Sequence, residues 1–395
     1  MPTFNPRLFS EPDRLKTIKP ARLITFLSTF SAYLAVRGFP LPDAAGAGLD
    51  YPRLAAILMH PDDQVPRAMV DALYYVHEMS DEDAFDDLLA LAHANGVALE
   101  ADVSPGDVAV ELWLQAPQAL QKAHTETATS RLKSFTYFSG RTGAPRTFPA
   151  VPATQLKALE ADLDHWFAAH RRGRGCRVLV YDRGPKVWIA IRHGQPFRRE
   201  GSLHDDGQSG IEYYRPERHD VLIYDTETDD IAVHATTKGE TNLYLELIGR
   251  HIFGDADYFP GAAKFTLEPL LQDGEAGLNC EDVPGLEWVR LTEYHQVWEG
   301  AWKERQMFKA TDVFQALTAR GRSVAPDGRL IKGVFSVKFV GVKKPRTVTI
   351  RPSNIATYER DSDSELVEIW LRRRGFILAG ADETDEPPPA ILAVA

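Results

Sequence analysis

The chain of 395 residues is 44% hydrophobic and 26% charged and carries a net charge of −11. This composition is typical of a folded chain with two or three domains, and no apolar run reaches the roughly 20 residues that a membrane-spanning helix needs. The two cysteines are too few for a disulfide scaffold or a cysteine-rich zinc site. The N-terminus lacks the layout of a secretory signal. We therefore expect a cytoplasmic protein with reduced thiols and no membrane partner.

Charge is unevenly distributed along the chain. The net charge is −9 for residues 1–120, +9 for 121–200, −15 for 201–300 and +8 for 301–374. Alternating blocks of this kind indicate either a nucleic-acid footprint on an acidic protein or complementary faces that dock on each other within the fold. The sequence leaves both explanations open.

Residues 1–125 are predicted to form a helical domain. Pro20 suits a first helical turn, apolar residues follow from Leu23 at helical spacing, and Gly38 suits the left-handed residue after a helix. Ser104-Pro105 predicts the start of a later helix. Residues 126–153 mix Gly, Pro, Thr and Arg with aromatic residues and show little helical period, which predicts a loop-rich connector.

The periodicity changes to that of strands in a predicted central domain, residues 154–260. After a helix that begins at Thr154, the chain contains the strand-like segments CRVLVYD, KVWIAIR, HDVLIYD and IAVHA. Residues 261–380 are predicted to form a basic α+β domain, with an extended hairpin and a helix that ends at Arg372–Arg374. Residues 381–395 are predicted to be a flexible tail. The fold class expected is therefore α+β.

A weak internal similarity, which we call the internal sequence echo, relates the central and C-terminal domains. The segment VLIYD, a polar turn and an apolar helix are matched in outline by VTIRP, a polar turn and a second helix. Units of strand, turn and helix also recur by chance, so duplication and coincidence both stay open.

One short motif lies at the end of an apolar strand, in Arg192-His193-Gly194. It resembles the entry motif of the histidine phosphatases, in which the histidine attacks a phosphoryl group and the arginine stabilises its oxygens. This resemblance implies phosphoryl hydrolysis with His193 as nucleophile. The alternative is a His-Gly turn at the end of a strand. The chain departs from the family pattern soon after the motif, at Pro196-Phe197-Arg198.

A second motif spans the run PERHDVLIYDTETDDIAVHATTK. It resembles the core of restriction-endonuclease-like nucleases, in which an aspartate and a second acid hold a divalent metal and a lysine positions water. The resemblance assigns Asp220 to the metal, Glu217 or Glu212 to an upstream carboxylate, and His234 and Lys238 to the second strand. His234-Ala235-Thr236 stands where the family has acid-x-Lys, so a degenerate relative that keeps the fold without the chemistry is a further alternative. Mg²⁺ or Mn²⁺ is implied only under this nuclease hypothesis, and no other cofactor or metal is predicted.

Basic clusters carry the first functional hypothesis, a non-catalytic subunit that binds nucleic acid or assembles with other chains. Arginine and lysine at strand and helix ends can contact phosphates, which predicts nucleic acid as the partner, with a protein partner or a second copy of the chain as alternatives. Whether the protein is an enzyme stays open. The cations assigned to nucleic acid are Arg171, Arg172, Arg174, Arg198, Arg199, Lys343, Lys344, Arg346, Arg351, Arg372, Arg373 and Arg374.

Overall fold

The computed structural model describes residues 5–42, 48–141, 145–261, 264–360 and 364–378. The tail predicted at 381–395 lies outside the described residues. Helices fill the N-terminal region and a large antiparallel sheet fills the rest, so the predicted α+β class is confirmed. Within the described residues, no helix is both long enough and apolar enough to cross a membrane.

The chain forms two compact units. The first comprises residues 1–128 with 199–212, and the second comprises 129–198 with 213–395. The predicted boundary at residue 260 differs from this division, because strands from both sides of it join one sheet.

The first unit is mainly helical. Its helices are α1 (Arg7–Ser10), α2 (Pro12–Leu15), α3 (Pro20–Ser28), α4 (Ser31–Val36), α5 (Tyr51–Met59), α6 (Arg67–Glu78), α7 (Phe85–Ala94), α8 (Pro105–Gln115) and most of α9 (Pro117–Ser130). The helix predicted from Pro20 to Gly38 is two helices, which Thr29 and Phe30 separate, yet its apolar residues are buried as expected. Ser104 caps α8 through a reciprocal capping box with Asp107.

The second unit is built on a ten-stranded sheet. Its strands are β1 (Ser134–Ser139), β2 (Arg177–Arg183), β3 (Lys186–Gly194), β6 (Glu217–Asp225), β7 (Asp230–His234), β8 (Leu286–Val297), β9 (Arg305–Lys309), β10 (Arg329–Phe339), β11 (Arg346–Arg351) and β12 (Ile355–Thr357). A separate two-stranded hairpin, β4 (Arg198–Leu203) and β5 (Ser209–Tyr214), belongs for the most part to the first unit. The remaining helices are α10 (Ala153–Ala169), α11 (Lys238–Ile248), α12 (Pro269–Gln272), α13 (Val313–Thr318) and α14 (Ser364–Arg373).

The strand β1 lies in the middle of the sheet, whose order is β2-β3-β6-β7-β1-β12-β11-β10-β8-β9. It pairs with β7 on one side and β12 on the other, both antiparallel. The loop-rich connector predicted at 126–153 is therefore wrong for Ser134–Ser139. The segment SFTYFS has strong β propensity, and its flanking Gly, Pro and Thr concealed the strand.

Alternate residues of the sheet face two different cores. Ile189 and Leu222 pack on α10 and α11, whereas Trp188 and Ile223 belong to the core that also contains α14. The near-continuous apolar strands β3 and β6 are covered on both faces, which explains why they lack the strict alternation of a half-exposed strand.

Candidate functional site

The antiparallel register brings many loops of the second unit to one end of the sheet. Strand β3 ends there at Gly194, opposite the start of β6 at Glu217, and β1 starts there at Ser134, opposite the end of β12 at Thr357. The turn between β10 and β11 lies at the same end, because Val337 pairs with Arg346. From β2 to β11, seven chain segments therefore emerge side by side, and several of them are basic.

Exposed cations are concentrated in these segments, and we call this surface the basic end of the sheet. Its members are Arg131, Lys133, Arg171, Arg174, Arg177, Arg215, Lys238, Lys343 and Lys344. Neighbouring strands are about 4.8 Å apart, so the six strand spacings from β2 to β11 extend over roughly 30 Å. That length matches most of one turn of a nucleic-acid duplex.

Four predicted cations lie exposed at the basic end: Arg171, Arg174, Lys343 and Lys344. Two others lie there but are engaged. Arg172 forms an ion pair with the buried Glu240, and Arg346 lies 2.8 Å from the Glu359 carboxylate. The sequence could not separate engaged from exposed cations, because each partner comes from a distant part of the chain.

Apart from Arg198, which follows Phe197 in the chain, the remaining predicted cations are not brought together with these. Arg351 ends β11 at the opposite end of the sheet, and Arg199 belongs to the first unit. Arg198 is exposed, and its side chain donates a hydrogen bond to Gln195 Oε1 at 2.9 Å. At the end of α14, Arg372 is exposed, while Arg373 and Arg374 form ion pairs with Asp282.

Carboxylates neutralise only part of the basic end. Glu359 accepts a hydrogen bond from Lys133 at 2.6 Å, and this lysine holds the pKa of Glu359 below its ordinary value. Among the described residues, Arg174, Lys238, Lys343 and Lys344 form no ion pair. A positive surface therefore persists on a chain whose net charge is negative.

An exposed aromatic side chain lies beside these cations. Phe197 is 58% exposed, and the Arg215 guanidinium lies 4.5 Å from its ring centre. Arg215 also donates a hydrogen bond to the backbone oxygen of Arg171. Sequence reasoning missed Arg131, Lys133 and Arg215 because isolated cations do not stand out. Their position next to strand ends was the available signal.

The two residues that carried the enzyme hypotheses meet inside the second unit. His193 Nε2 lies 3.1 Å from Asp220 Oδ2, and both side chains are buried. Phe167 stacks on the imidazole with a ring-centre separation of 4.4 Å. His193 Nδ1 lies 2.9 Å from the backbone oxygen of Gly194. Both ring nitrogens thus face acceptors, so neither is free to attack a phosphoryl group.

Protein donors surround the Asp220 carboxylate. Arg218 Nε donates to Oδ1 at 2.8 Å, and Tyr244 donates to Oδ2 at 2.7 Å. Burial by itself raises the pKa of Asp220, but the hydrogen bonds from His193, Arg218 and Tyr244 outweigh burial and hold it below the ordinary value. The carboxylate is therefore stabilised in its charged form without a metal.

His193, Asp220 and Glu240 offer ligand atoms within 4.8 Å of one another. A divalent cation there would have to displace guanidinium groups, because Arg172 pairs with Glu240 and Arg218 pairs with Asp220. The donor set fits a network of ion pairs better than a metal site.

The other residues assigned to the nuclease hypothesis lie apart from this cluster. Glu217 and Lys238 are exposed, and His234 Nδ1 lies 2.8 Å from the backbone oxygen of Ser134. Lys238 is the first residue of α11, and its exposed side chain belongs to the basic end.

No protein-family model and no curated protein sequence matches this chain.

Proposed function

We propose that this protein binds nucleic acid without catalysis, through the basic end of its sheet. The observation that carries the proposal is the convergence of Arg171, Arg174, Lys343 and Lys344 on one end of one sheet, from segments about 170 residues apart in sequence. A charge run alone is ordinary, whereas two runs on one surface form a footprint for a polyanion.

The chemistry of the surface suits phosphate contacts. Lysine and arginine side chains that are exposed and free of carboxylate partners can replace the counterions of a phosphate backbone. The phosphates of a nucleic acid are regularly spaced along its backbone, so a row of cations that extends over roughly 30 Å can contact several of them. Phe197 adds a ring on which an unpaired base can stack, which favours single-stranded or frayed nucleic acid.

The enzyme alternatives have less support from the geometry. A metal-dependent nuclease needs Asp220 open to a metal and to a phosphodiester, but this carboxylate is fully buried and accepts three hydrogen bonds. A phosphatase needs a free ring nitrogen on His193. Both nitrogens of that ring have hydrogen-bond partners.

The proposal is tested by fluorescence anisotropy with labelled single-stranded and duplex DNA and RNA of about two helical turns. We expect binding at low salt that weakens about 100-fold between roughly 50 and 200 mM salt, if about four phosphates are neutralised. The double variant Lys343→Glu/Lys344→Glu should bind at least about tenfold more weakly. Arg174→Glu should weaken binding in the same direction.

The matched controls are Arg351→Glu, at the opposite end of β11, and Arg372→Glu, at the end of α14. Each reverses one exposed charge and should leave the affinity nearly unchanged. Absence of binding by the wild type at low salt would overturn the proposal. Equal losses in the basic-end and control variants would also overturn it, since they would indicate a response to net charge alone.

A further inference from the structure

A cavity of about 200 Å³ lies in the second unit. Its floor is a row of residues directly opposite one another on four adjacent strands, in the order Trp188, Ile223, Ala232 and Tyr137. All four are buried. The small Ala232 side chain leaves room between the two aromatic residues, so the cavity has an apolar floor with an aromatic side chain at each end of the row.

Charged side chains and Ser364 form the rest of the wall. The cations are Arg183, Lys186, Lys264 and Arg360, and the carboxylates are Asp225, Asp230 and Glu368. Lys186 lies 2.8 Å from Glu368, and Lys264 lies 2.5 Å from Asp230. Two of the cations in the wall are therefore paired with carboxylates of the same wall.

Arg360 is the group whose hydrogen bonding is incomplete. Its side chain is 5% exposed, and its guanidinium lies 4.3 Å from the ring centre of Phe135 and 4.2 Å from that of Tyr358. Its Nη1 is 3.9 Å from Glu368, while Nε and Nη2 are buried with no hydrogen-bond partner among the described residues. These two nitrogens form one edge of the guanidinium plane, the edge that binds a carboxylate with two parallel hydrogen bonds.

A buried guanidinium with two unused donors is costly unless an acceptor reaches it. We propose that this cavity binds a small planar monocarboxylate with one aromatic ring, whose carboxylate pairs with Arg360 and whose ring lies over Ile223 and Ala232. A cavity of roughly 150 Å³ holds benzene, so the available space suits a single ring with its carboxylate.

Arg360 also lines a second cavity of about 190 Å³, with Ser130, Arg131, Lys133 and Glu359. That cavity lacks the aromatic row, so it suits the ring of the ligand less well. The experiment must nevertheless distinguish the two cavities.

The test uses the full-length protein with benzoate as the probe, followed by ligand-observed NMR and by thermal unfolding. We expect saturable binding of benzoate and a rise in Tm that saturates with concentration. Benzamide has the same shape without the charge, and inorganic phosphate has charge without the ring, so neither should compete. Arg360→Gln and Ala232→Leu should each weaken binding at least about tenfold, and Lys133→Gln should not change it.

Ala232→Leu fills the cavity without removing a charge. It therefore tests whether benzoate binds in this cavity even if Arg360→Gln fails to fold. The proposal is overturned if the wild type shows no saturable benzoate binding up to about 10 mM, or if benzamide or phosphate binds as well as benzoate. It is also overturned if Ala232→Leu binds like the wild type, or if Lys133→Gln loses binding, which would assign the ligand to the second cavity. None of these outcomes depends on nucleic-acid binding.

Discussion

Asp220 is the residue at which the structural and catalytic hypotheses separate most clearly. It is fully buried, and its carboxylate holds His193, Arg218 and Tyr244 in place. Removal of one partner from a buried ionic network leaves the others uncompensated, which costs more than the network contributes when intact. A residue in this position stabilises the fold whatever the protein binds.

We predict that Asp220→Asn lowers the free energy of unfolding by about 3–5 kcal/mol, measured by urea denaturation with far-UV circular dichroism. Glu217→Gln is the matched control, since Glu217 is an exposed carboxylate on the same strand, and it should stay within about 0.5 kcal/mol of the wild type. Mg²⁺ should not raise the Tm of the wild type. A Mg²⁺-dependent rise in Tm that Asp220→Asn abolishes would instead establish a metal site.

Glu368 makes stability depend on acid pH. Its burial by itself raises the pKa, but Lys186 and the hydrogen bond from Tyr358 outweigh burial and hold the pKa below the ordinary 4.5. A carboxyl whose pKa is lower in the folded state stabilises the protein above its unfolded pKa, and this stabilisation is lost as the pH falls through the folded pKa.

We predict that wild-type stability decreases as the pH falls below about 4.5, and that Glu368→Gln flattens the curve in that range. At neutral pH the variant should be less stable by about 1–3 kcal/mol, because Lys186 loses its partner. Glu365→Gln, at an exposed position on the same helix, is the control and should retain the wild-type pH dependence. An unchanged pH dependence in Glu368→Gln would contradict the assignment.

At the scale of elements, α11 begins with a capping box that also serves the buried ion pairs. Thr237 Oγ1 accepts a hydrogen bond from the backbone of Glu240 at 3.2 Å, and Glu240 Oε2 accepts one from the backbone of Thr237 at 2.7 Å. The other oxygen of Glu240 pairs with Arg172. The helix start and the arginine are thereby fixed by the same carboxylate.

We predict that Thr237→Ala destabilises the protein by about 1 kcal/mol, whereas Thr237→Ser has a much smaller effect. Thr236→Ala, at the exposed neighbouring position, is the control for loss of a threonine side chain. Chemical denaturation measures all three. If Thr236→Ala costs as much as Thr237→Ala, the cap is not the cause.

The sheet has a symmetric arrangement about β1 that gives the internal sequence echo a structural counterpart. Strands β7 and β12 flank β1, and β6 and β11 lie next to them on either side. Helices α11 and α14, which follow these strand pairs, belong to different cores of the sheet. The two echoed segments therefore occupy equivalent positions in the fold, although β9 has no counterpart on the other side.

At the scale of the whole molecule, positive blocks that are separate along the chain come together in the fold. The positive blocks at 121–200 and 301–374 contribute to the same end of one sheet, as well as to ion pairs with acidic segments. Some cations of these blocks are therefore paired with carboxylates within the fold, and others are exposed at the basic end. The two cysteines are buried and free, and burial raises the pKa of Cys176 to about 12.

The sequence by itself determined the α+β class, the helical N-terminal region and the strands β3, β6 and β7. These are local properties, since periodicity and turn chemistry act within a few residues. It did not determine that Ser134–Ser139 is the central strand, that Asp220 is enclosed by its own donors, or that Arg360 has two unused ones. Those depend on contacts between residues 24 to more than 200 positions apart, which only the pairing of strands in the tertiary structure decides.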